Sequence, residues 1–173
     1  MPGSGKSTIV SALKTKGFEA LNLGDGVRAE AKRRNLEPTG DNLGKLMLEL
    51  REKNGPGAIA TLLTEPIKNS QSKVIIIDGV RSTAEIEVLK NVGSVKLLSI
   101  EATADTRYKF LSSRGRSDDP TTREKFEERD NRELGVGIGE SIAIADETIS
   151  NSGITLDELT ELAYKVIEKW TDT

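Results

Sequence analysis

The residues best suited to chemistry lie at the start of the chain and read Gly3-Ser4-Gly5-Lys6-Ser7-Thr8. Glycines at this spacing let successive backbone N–H groups turn toward phosphate oxygens at the N-terminus of a helix. In such a phosphate loop the Lys6 ammonium reaches the β- and γ-phosphates, the Ser7 hydroxyl ligates Mg²⁺ and Thr8 bonds the α-phosphate. The alternative is a flexible glycine-rich segment that happens to precede a helix. The spacing favours a site for a polyphosphate tail.

A second candidate site lies at Asp78, which follows an apolar strand candidate at residues 74–77 and precedes Gly79. A carboxylate in this position holds Mg²⁺ directly or through water in nucleotide-binding sheets. The alternative is a carboxylate that caps the turn into the next helix. We expect Arg81 at the same carboxyl end of the strand, where open α/β sheets bind ligands. Its guanidinium suits an acceptor phosphate because it can donate two parallel hydrogen bonds.

The composition limits the chemistry further. The 173 residues include neither cysteine nor histidine, which excludes disulfides, thiol nucleophiles, Cys/His zinc sites and imidazole bases. Phosphoryl transfer tolerates this absence because it depends on charge neutralisation and in-line positioning more than on covalent catalysis. The 25 basic and 28 acidic residues give a net charge of −3, which favours compact ligands over nucleic acid or anionic lipid. No apolar run has the length of a membrane span. The sequence therefore predicts a cytoplasmic protein without a membrane or nucleic-acid partner, and it leaves the oligomeric state open.

The elements that must position these residues follow an alternating pattern. Apolar runs predict strands at residues 18–23, 74–77, 95–100 and 147–149. Each run is followed by polar or glycine-rich residues and then by helical periodicity, which predicts an α/β fold with a parallel sheet and helices around it. We expect a single domain over residues 1–173. Two segments interrupt the alternation: residues 25–70 are helical by pattern without a strand, and residues 112–137 are densely charged and rich in arginine.

The start of the chain is incomplete as a phosphate loop. The full pattern places a glycine five residues before Gly5, which falls just before Met1. The strand that usually precedes the loop is absent with it. Losing roughly six mostly apolar strand residues would remove something like 10 kcal/mol, which is comparable to the whole stability of a domain. We therefore expect that the natural product begins upstream with an apolar strand and that Met1 is an internal methionine.

Further short motifs accompany the loop in a fixed order. They are Gly24-Asp25-Gly26-Val27-Arg28, Leu50-Arg51-Glu52-Lys53-Asn54-Gly55, Asp78-Gly79-Val80-Arg81, Arg114-Gly115-Arg116-Ser117-Asp118-Asp119, Ala145-Asp146 and Asn151-Ser152-Gly153. Together with the loop they resemble the landmarks of adenylate-kinase-related P-loop kinases. The chain is most similar to an archaeal adenylate-kinase-related group without a settled substrate, and it is similar also to dephospho-CoA kinases and cytidylate kinases. The resemblance implies a three-layer P-loop NTPase fold, a parallel sheet with helices on both faces, whose first strand is missing from this chain. It also implies a helical acceptor-binding segment at about 25–70 and a lid at about 112–137.

The resemblance also assigns roles to individual residues. It places Asp25, Arg28, Arg51 and Arg81 at the acceptor, and Gly3, Ser4, Gly5, Lys6, Ser7, Thr8, Asn151 and Gly153 at the nucleotide. The resemblance assigns catalysis to Lys6, Asp78, Arg114 and Arg116. It assigns the metal ligands to Ser7 and Asp78. The arginines that would approach the transferred phosphoryl group are Arg129 and Arg132.

Plainer interpretations compete with these roles. Asp25 could cap a helix, Arg51 could lie on a solvated helix face, Arg129 and Arg132 could form surface ion pairs, and residues 151–153 could form an ordinary turn. Adenylate kinases often carry a base-stacking arginine at the position that Phe110 occupies here. Since Tyr108 and Leu111 flank it, we expect Phe110 in the core.

These assignments predict a kinase that uses ATP and Mg²⁺ and transfers the γ-phosphoryl group to a nucleoside monophosphate. A second hypothesis keeps the fold but uses a hydroxyl acceptor such as dephospho-CoA, for which Asp25 is a candidate base. A third is a nucleotide-dependent switch or RNA-associated ATPase, for which the only pointer is the short basic cluster Lys32-Arg33-Arg34.

Overall fold

The computed structural model describes residues 1–115 and 119–171. Along the chain its elements are α1 (Lys6–Thr15), β1 (Glu19–Asn22), α2 (Leu23–Arg33), α3 (Gly40–Asn54), α4 (Ala58–Asn69), β2 (Ile75–Asp78), α5 (Thr83–Lys90), β3 (Leu98–Glu101), α6 (Ala104–Arg114), α7 (Arg123–Val136), α8 (Ile138–Ala143), β4 (Glu147–Ser150) and α9 (Leu156–Thr171). Each predicted strand overlaps an observed one and is followed by a helix, so the α/β order is confirmed.

The chain divides into two compact units. We call Met1–Gly17 with Lys96–Thr173 the loop unit, and Phe18–Val95 the middle unit. Each unit contains a pair of parallel strands. The single domain and the single sheet covered on both faces stay predictions from the sequence.

In the middle unit, β1 and β2 pair in parallel from Glu19 opposite Ile75 to Asn22 opposite Asp78. The helices α2, α3 and α4 confirm that residues 25–70 are helical without a strand. Their apolar faces share one core with α5, whose buried members are Leu23, Val27, Ala31, Leu46, Leu50, Ala58, Ile59, Ala60, Leu63 and Leu89. This core holds the C-terminal ends of β1 and β2 and the helices that follow them in fixed positions.

Two helix starts in the middle unit differ from the alternatives considered from sequence. The side chain of Asn22 caps α2 by accepting from the N–H groups of Gly24 and Asp25, so the N-cap interpretation of Asp25 is wrong and the strand ends one residue before Leu23. The Ser82 hydroxyl caps α5 by accepting from Glu85 N. Asp78 therefore does not serve as the cap of the next helix.

In the loop unit, β3 and β4 pair in parallel from Leu98 opposite Glu147 to Glu101 opposite Ser150. Helices α1 and α9 pack against each other, and Leu13 and Leu159 are buried there. Helices α6 and α7 meet at an edge-to-face contact between Tyr108 and Phe126, whose ring centres lie 5.5 Å apart.

Phe110 is not in the core, contrary to the prediction, because 47% of it is exposed. Arg107 and Leu111 are the buried residues of α6, and they lie four positions apart on one face of the helix. Phe110 falls outside that stripe. Among the described residues, no helix is long and apolar enough to cross a membrane.

Candidate functional site

The phosphate loop has the backbone geometry that the sequence predicts. Gly3 and Gly5 have φ angles of +79° and +103°, values that other residues rarely adopt. Helix α1 then begins at Lys6, and no side chain of the described residues caps its first turn. The Lys6 ammonium lies over the loop and donates to the Met1 carbonyl at 2.8 Å and to Ser4 Oγ at 3.4 Å. Positive charge, turned amides and an uncapped helix N-terminus thus coincide within six residues, and this combination binds anions.

Asn151 supports the loop from the end of β4. Its backbone N–H donates to the Glu101 carbonyl at 2.7 Å, and its side-chain Nδ2 donates to the buried Ser4 carbonyl at 3.0 Å. A Cβ atom at Gly5 would lie 2.7 Å from the same Nδ2 atom, so only glycine fits between the loop and Asn151. The position of Asn151 beside adenine stays a prediction, as does that of Gly153, which lies in the exposed turn that follows.

Arg107 is a contact of the loop that the sequence interpretation missed. Its Nη1 donates to the Pro2 carbonyl at 3.1 Å, and both Nη atoms bind the carboxylate of Asp130 on α7. The Arg107 carbonyl would lie 2.8 Å from a Cβ at Gly3, so α6 packs directly on the loop. In the sequence, the one signal for this contact was the position of Arg107 four residues before Leu111, on the same face of a predicted helix.

Two of the predicted lid and transfer arginines meet on one carboxylate. Arg114 forms a bidentate pair with Asp119, and Arg129 Nη1 lies 3.8 Å from Asp119 Oδ1. Only 6% of the Asp119 side chain is exposed. Arg129 thus pairs with a residue outside its own helix. Arg132 is exposed, and Arg116 lies outside the described residues.

In the middle unit, Asp78 is oriented by its strand neighbour. Asn22 Nδ2 donates to Asp78 Oδ2 at 3.0 Å, while Oδ1 of the same side chain caps α2 by accepting from the Gly24 N–H. One side chain thus connects the predicted metal ligand to the start of the acceptor helix. Asp25 and Arg28 form an ion pair of 2.6 Å on the exposed face of α2.

Arg51 and Arg81 meet through Glu85, a second residue that the sequence interpretation missed. Arg51 Nη2 lies 3.1 Å from Glu85 Oε1, and the Arg81 backbone N–H donates to Glu85 Oε2 at 2.7 Å. The side chains of Arg51 and Glu85 are only 18% and 1% exposed, so the solvated-face interpretation of Arg51 is wrong. The Ser82-x-x-Glu85 spacing, which resembles a capping box, was the available signal for Glu85.

The Arg51 guanidinium keeps a buried Nε without a hydrogen-bond partner among the described residues. A buried N–H of this kind costs free energy unless an acceptor satisfies it. An anionic group of a ligand would supply that acceptor.

The basic cluster at residues 32–34 is largely neutralised by neighbouring carboxylates. Arg33 and Arg34 both pair with Glu30, and Arg34 also contacts Glu49 at 3.0 Å. The hydrogen bonds from Arg33 and Arg34 lower the pKa of Glu30 to about 2. The cluster therefore presents less positive charge than its sequence suggests, which weakens the argument for an RNA-associated protein.

Comparisons with known proteins identify the family and the fold. Residues 1–127 match the AAA domain family, and this segment includes the phosphate loop. Among solved structures, shikimate kinase from Bacteroides thetaiotaomicron superposes with a TM-score of 0.65 at 14% identity, covering 96% of this chain and 93% of that one. TT1252 from Thermus thermophilus gives the same TM-score at 19% identity and the same coverage. These likenesses show a kinase-like P-loop fold.

Relatives at the sequence level span nearly the whole chain. A UPF0200 protein of Hyperthermus butylicus is 38% identical over 171 residues, which cover 99% of this chain and 91% of that protein. Another from Methanothrix thermoacetophila is 42% identical over 173 residues, which cover 98% of this chain and 93% of that protein. The AAA domain match includes the phosphate loop, and these relatives align with nearly the whole chain. The chain therefore belongs to the UPF0200 family of P-loop proteins.

Proposed function

We propose that the protein is a phosphotransferase that moves the γ-phosphoryl group of ATP to a small acceptor bearing a phosphate, with a nucleoside monophosphate as the first candidate. The observation that carries this proposal is the phosphate loop, in which Gly3 and Gly5 turn the backbone and Lys6 lies over it at an uncapped helix start. Such a loop binds the tail of a nucleotide through amides and one ammonium. The kinase-like fold supports the same conclusion.

The acceptor class is inferred from the arginines of the middle unit. Arg51 is fixed by buried Glu85 and retains an unsatisfied Nε, and Arg81 follows the carboxyl end of β2. Guanidinium groups recognise phosphate with paired hydrogen bonds. Arg28 can join them if it exchanges its exposed partner Asp25 for the ligand, which costs little because exposed ion pairs are weak. An acceptor that already carries a phosphate satisfies this set of donors.

Magnesium would neutralise charge on the β- and γ-phosphates when bound, as in related transfer sites. The hydroxyl of Ser7 and the carboxylate of Asp78 are the predicted ligands, and oxygen donors of this type suit Mg²⁺. Asn22 restrains the Asp78 carboxylate by a hydrogen bond of 3.0 Å, which fits a role as a directed ligand. The arginines Arg114, Arg116 and Arg129 are proposed to contact the phosphates during transfer and to help exclude water.

The proposal is tested by calorimetric titration with Mg·ATP and by an ADP-release assay with AMP, CMP, UMP, GMP and dephospho-CoA as acceptors. Lys6→Ala should lower turnover by about 10²-fold or more, the loss seen for single electrostatic contacts in transfer sites. Lys14→Ala is the matched control, since Lys14 lies exposed at the other end of α1, and it should retain full activity.

A wild-type titration without heat of binding would refute the proposal. Turnover with dephospho-CoA alone would instead identify a hydroxyl acceptor. A slow ATPase that no acceptor accelerates would point to a nucleotide-dependent switch.

A further inference from the structure

We propose that Arg107 and Asp130 are positioning residues of the phosphate loop, and that they act as a pair. The inference rests on the proposed nucleotide binding but concerns residues that neither the loop motif nor the family resemblance singles out. Arg107 reaches the loop directly through the Pro2 carbonyl. Asp130 is joined to the loop through Arg107.

The contacts fix the Arg107 guanidinium in one orientation. Nη1 is shared between the Pro2 carbonyl at 3.1 Å and Asp130 Oδ1 at 2.8 Å, and Nη2 binds Asp130 Oδ2. The guanidinium also lies 4.9 Å from the centre of the Phe126 ring. The side chains of Arg107 and Asp130 are 7% and 17% exposed. A pair this buried depends on accurate geometry, because breaking it leaves a charge without a partner.

This geometry restrains the half of the loop that Asn151 does not reach. Asn151 holds the Ser4 carbonyl, whereas Arg107 holds the Pro2 carbonyl and its own backbone packs on Gly3. Carbonyl groups held outward leave the intervening amides free to face a phosphate. The pair also connects the loop to α7, the helix that carries Arg129 next to Asp130. Occupancy of the loop and the position of α7 are therefore coupled.

The direction in which one substitution changes nucleotide affinity separates this role from a simple charge effect. Asp130 carries a negative charge near a site for a polyanion, so its removal should strengthen nucleotide binding if charge alone matters. If Asp130 positions the loop through Arg107, its removal should weaken binding. Asp130→Asn tests this directly because it keeps the shape of the side chain and removes the charge.

The chain provides a control pair between the same two helices, whose side chains are more exposed, at 40% and 87%. Arg123 and Asp105 also join α7 to α6, with Nη1 and Oδ1 2.8 Å apart, and among the described residues neither contacts the loop. Asp105→Asn therefore removes an ion pair between the same two helices without touching the loop. Arg107→Lys keeps the positive charge but lacks the planar fork with which the guanidinium binds both oxygens of Asp130 in parallel.

The experiment measures the Kd of Mg·ATP by calorimetry and, without nucleotide, the hydrogen exchange of the amides at residues 3–8. Urea denaturation verifies that each variant is folded. We expect Asp130→Asn and Arg107→Lys to raise the Kd about tenfold, the loss expected from one charge-assisted hydrogen bond. Both should accelerate exchange in the loop, and Asp105→Asn should change neither quantity.

Tighter nucleotide binding by Asp130→Asn, or unchanged loop exchange in both variants, would overturn the inference. Equal effects of Asp105→Asn would overturn it as well, since they would reflect general loosening of α6 and α7. A flat titration of the wild-type protein would defeat the proposed function instead, and loop exchange would still decide whether Arg107 and Asp130 position the loop.

Discussion

Replacing Gly5 by alanine tests whether the loop is held by packing against Asn151 or only by its own backbone. Gly17 is the matched control because both glycines adopt a left-handed conformation, with φ angles of +103° and +94°. A Cβ at Gly17 meets no atom of the described residues within 4 Å, whereas one at Gly5 would lie 2.7 Å from Asn151 Nδ2 and 3.1 Å from Leu159 Cδ2. Gly17→Ala thus reports backbone strain alone, and Gly5→Ala reports strain together with the clash.

The expected magnitudes follow from these contacts. A non-glycine residue in the left-handed region costs about 1–2 kcal/mol, which is the whole cost expected for Gly17→Ala. At Gly5 the added methyl group displaces the Asn151 amide from the buried Ser4 carbonyl. Leaving that carbonyl unsatisfied costs a further ~1–3 kcal/mol. Gly5→Ala should therefore lose about 2–5 kcal/mol, and only this variant should weaken nucleotide binding.

The assay is urea denaturation of Gly5→Ala, Gly17→Ala, Asn151→Ala and the double variant Gly5→Ala/Asn151→Ala. In the double variant the clash with the Asn151 amide is removed and only the 3.1 Å contact with Leu159 Cδ2 remains, so its loss should be smaller than the sum of the single losses by more than about 0.5 kcal/mol. Equal losses for Gly5→Ala and Gly17→Ala, together with additivity in the double variant, would refute the reasoning. The loop would then owe its shape to its own glycines.

Two further predictions concern the middle unit. The first concerns Glu30, because Arg33 and Arg34 lower the pKa of its carboxyl group to about 2. Glu30 therefore contributes stability that is present above the unfolded pKa near 4.5 and is lost as the pH falls toward 2. Glu30→Gln should therefore lower the free energy of unfolding by about 1 kcal/mol at pH 7, an amount reduced for solvent screening. The difference should shrink as the pH falls from 4.5 through about 2, and a constant difference would contradict the assignment. For the buried pair, Glu85→Ala should cost about 3–5 kcal/mol because it leaves the Arg51 charge unpaired. The double variant Arg51→Ala/Glu85→Ala should cost less than the sum of the single variants in urea denaturation, and strict additivity would show that the pair is not coupled.

Local sequence was sufficient for the four strands, for the helices that follow them and for the identity of the phosphate loop. Strand and helix periods depend on residues a few positions apart, and the Gly-Ser-Gly-Lys-Ser-Thr spacing carries its own geometry. The N-caps show the limit of such local reasoning, because Asp25 and Asn22 are both acceptable caps by residue type. The structure selects Asn22, which also contacts Asp78 on the neighbouring strand.

The partners of the functional residues were decided by the tertiary structure alone. Asn151 contacts Ser4 across 147 positions of sequence and Arg107 contacts Pro2 across 105, and no periodic pattern reports separations of this size. Burial explains the same limit for Glu85, which resembles a surface carboxylate in the sequence but is 1% exposed and paired with Arg51 of α3. The residue types by themselves determined which functional groups were available. These are a lysine, hydroxyls, carboxylates and arginines, without histidine or cysteine. Packing of the helices determined which of those groups are held in place, since a long-range contact exists only when separate elements bury their faces against each other.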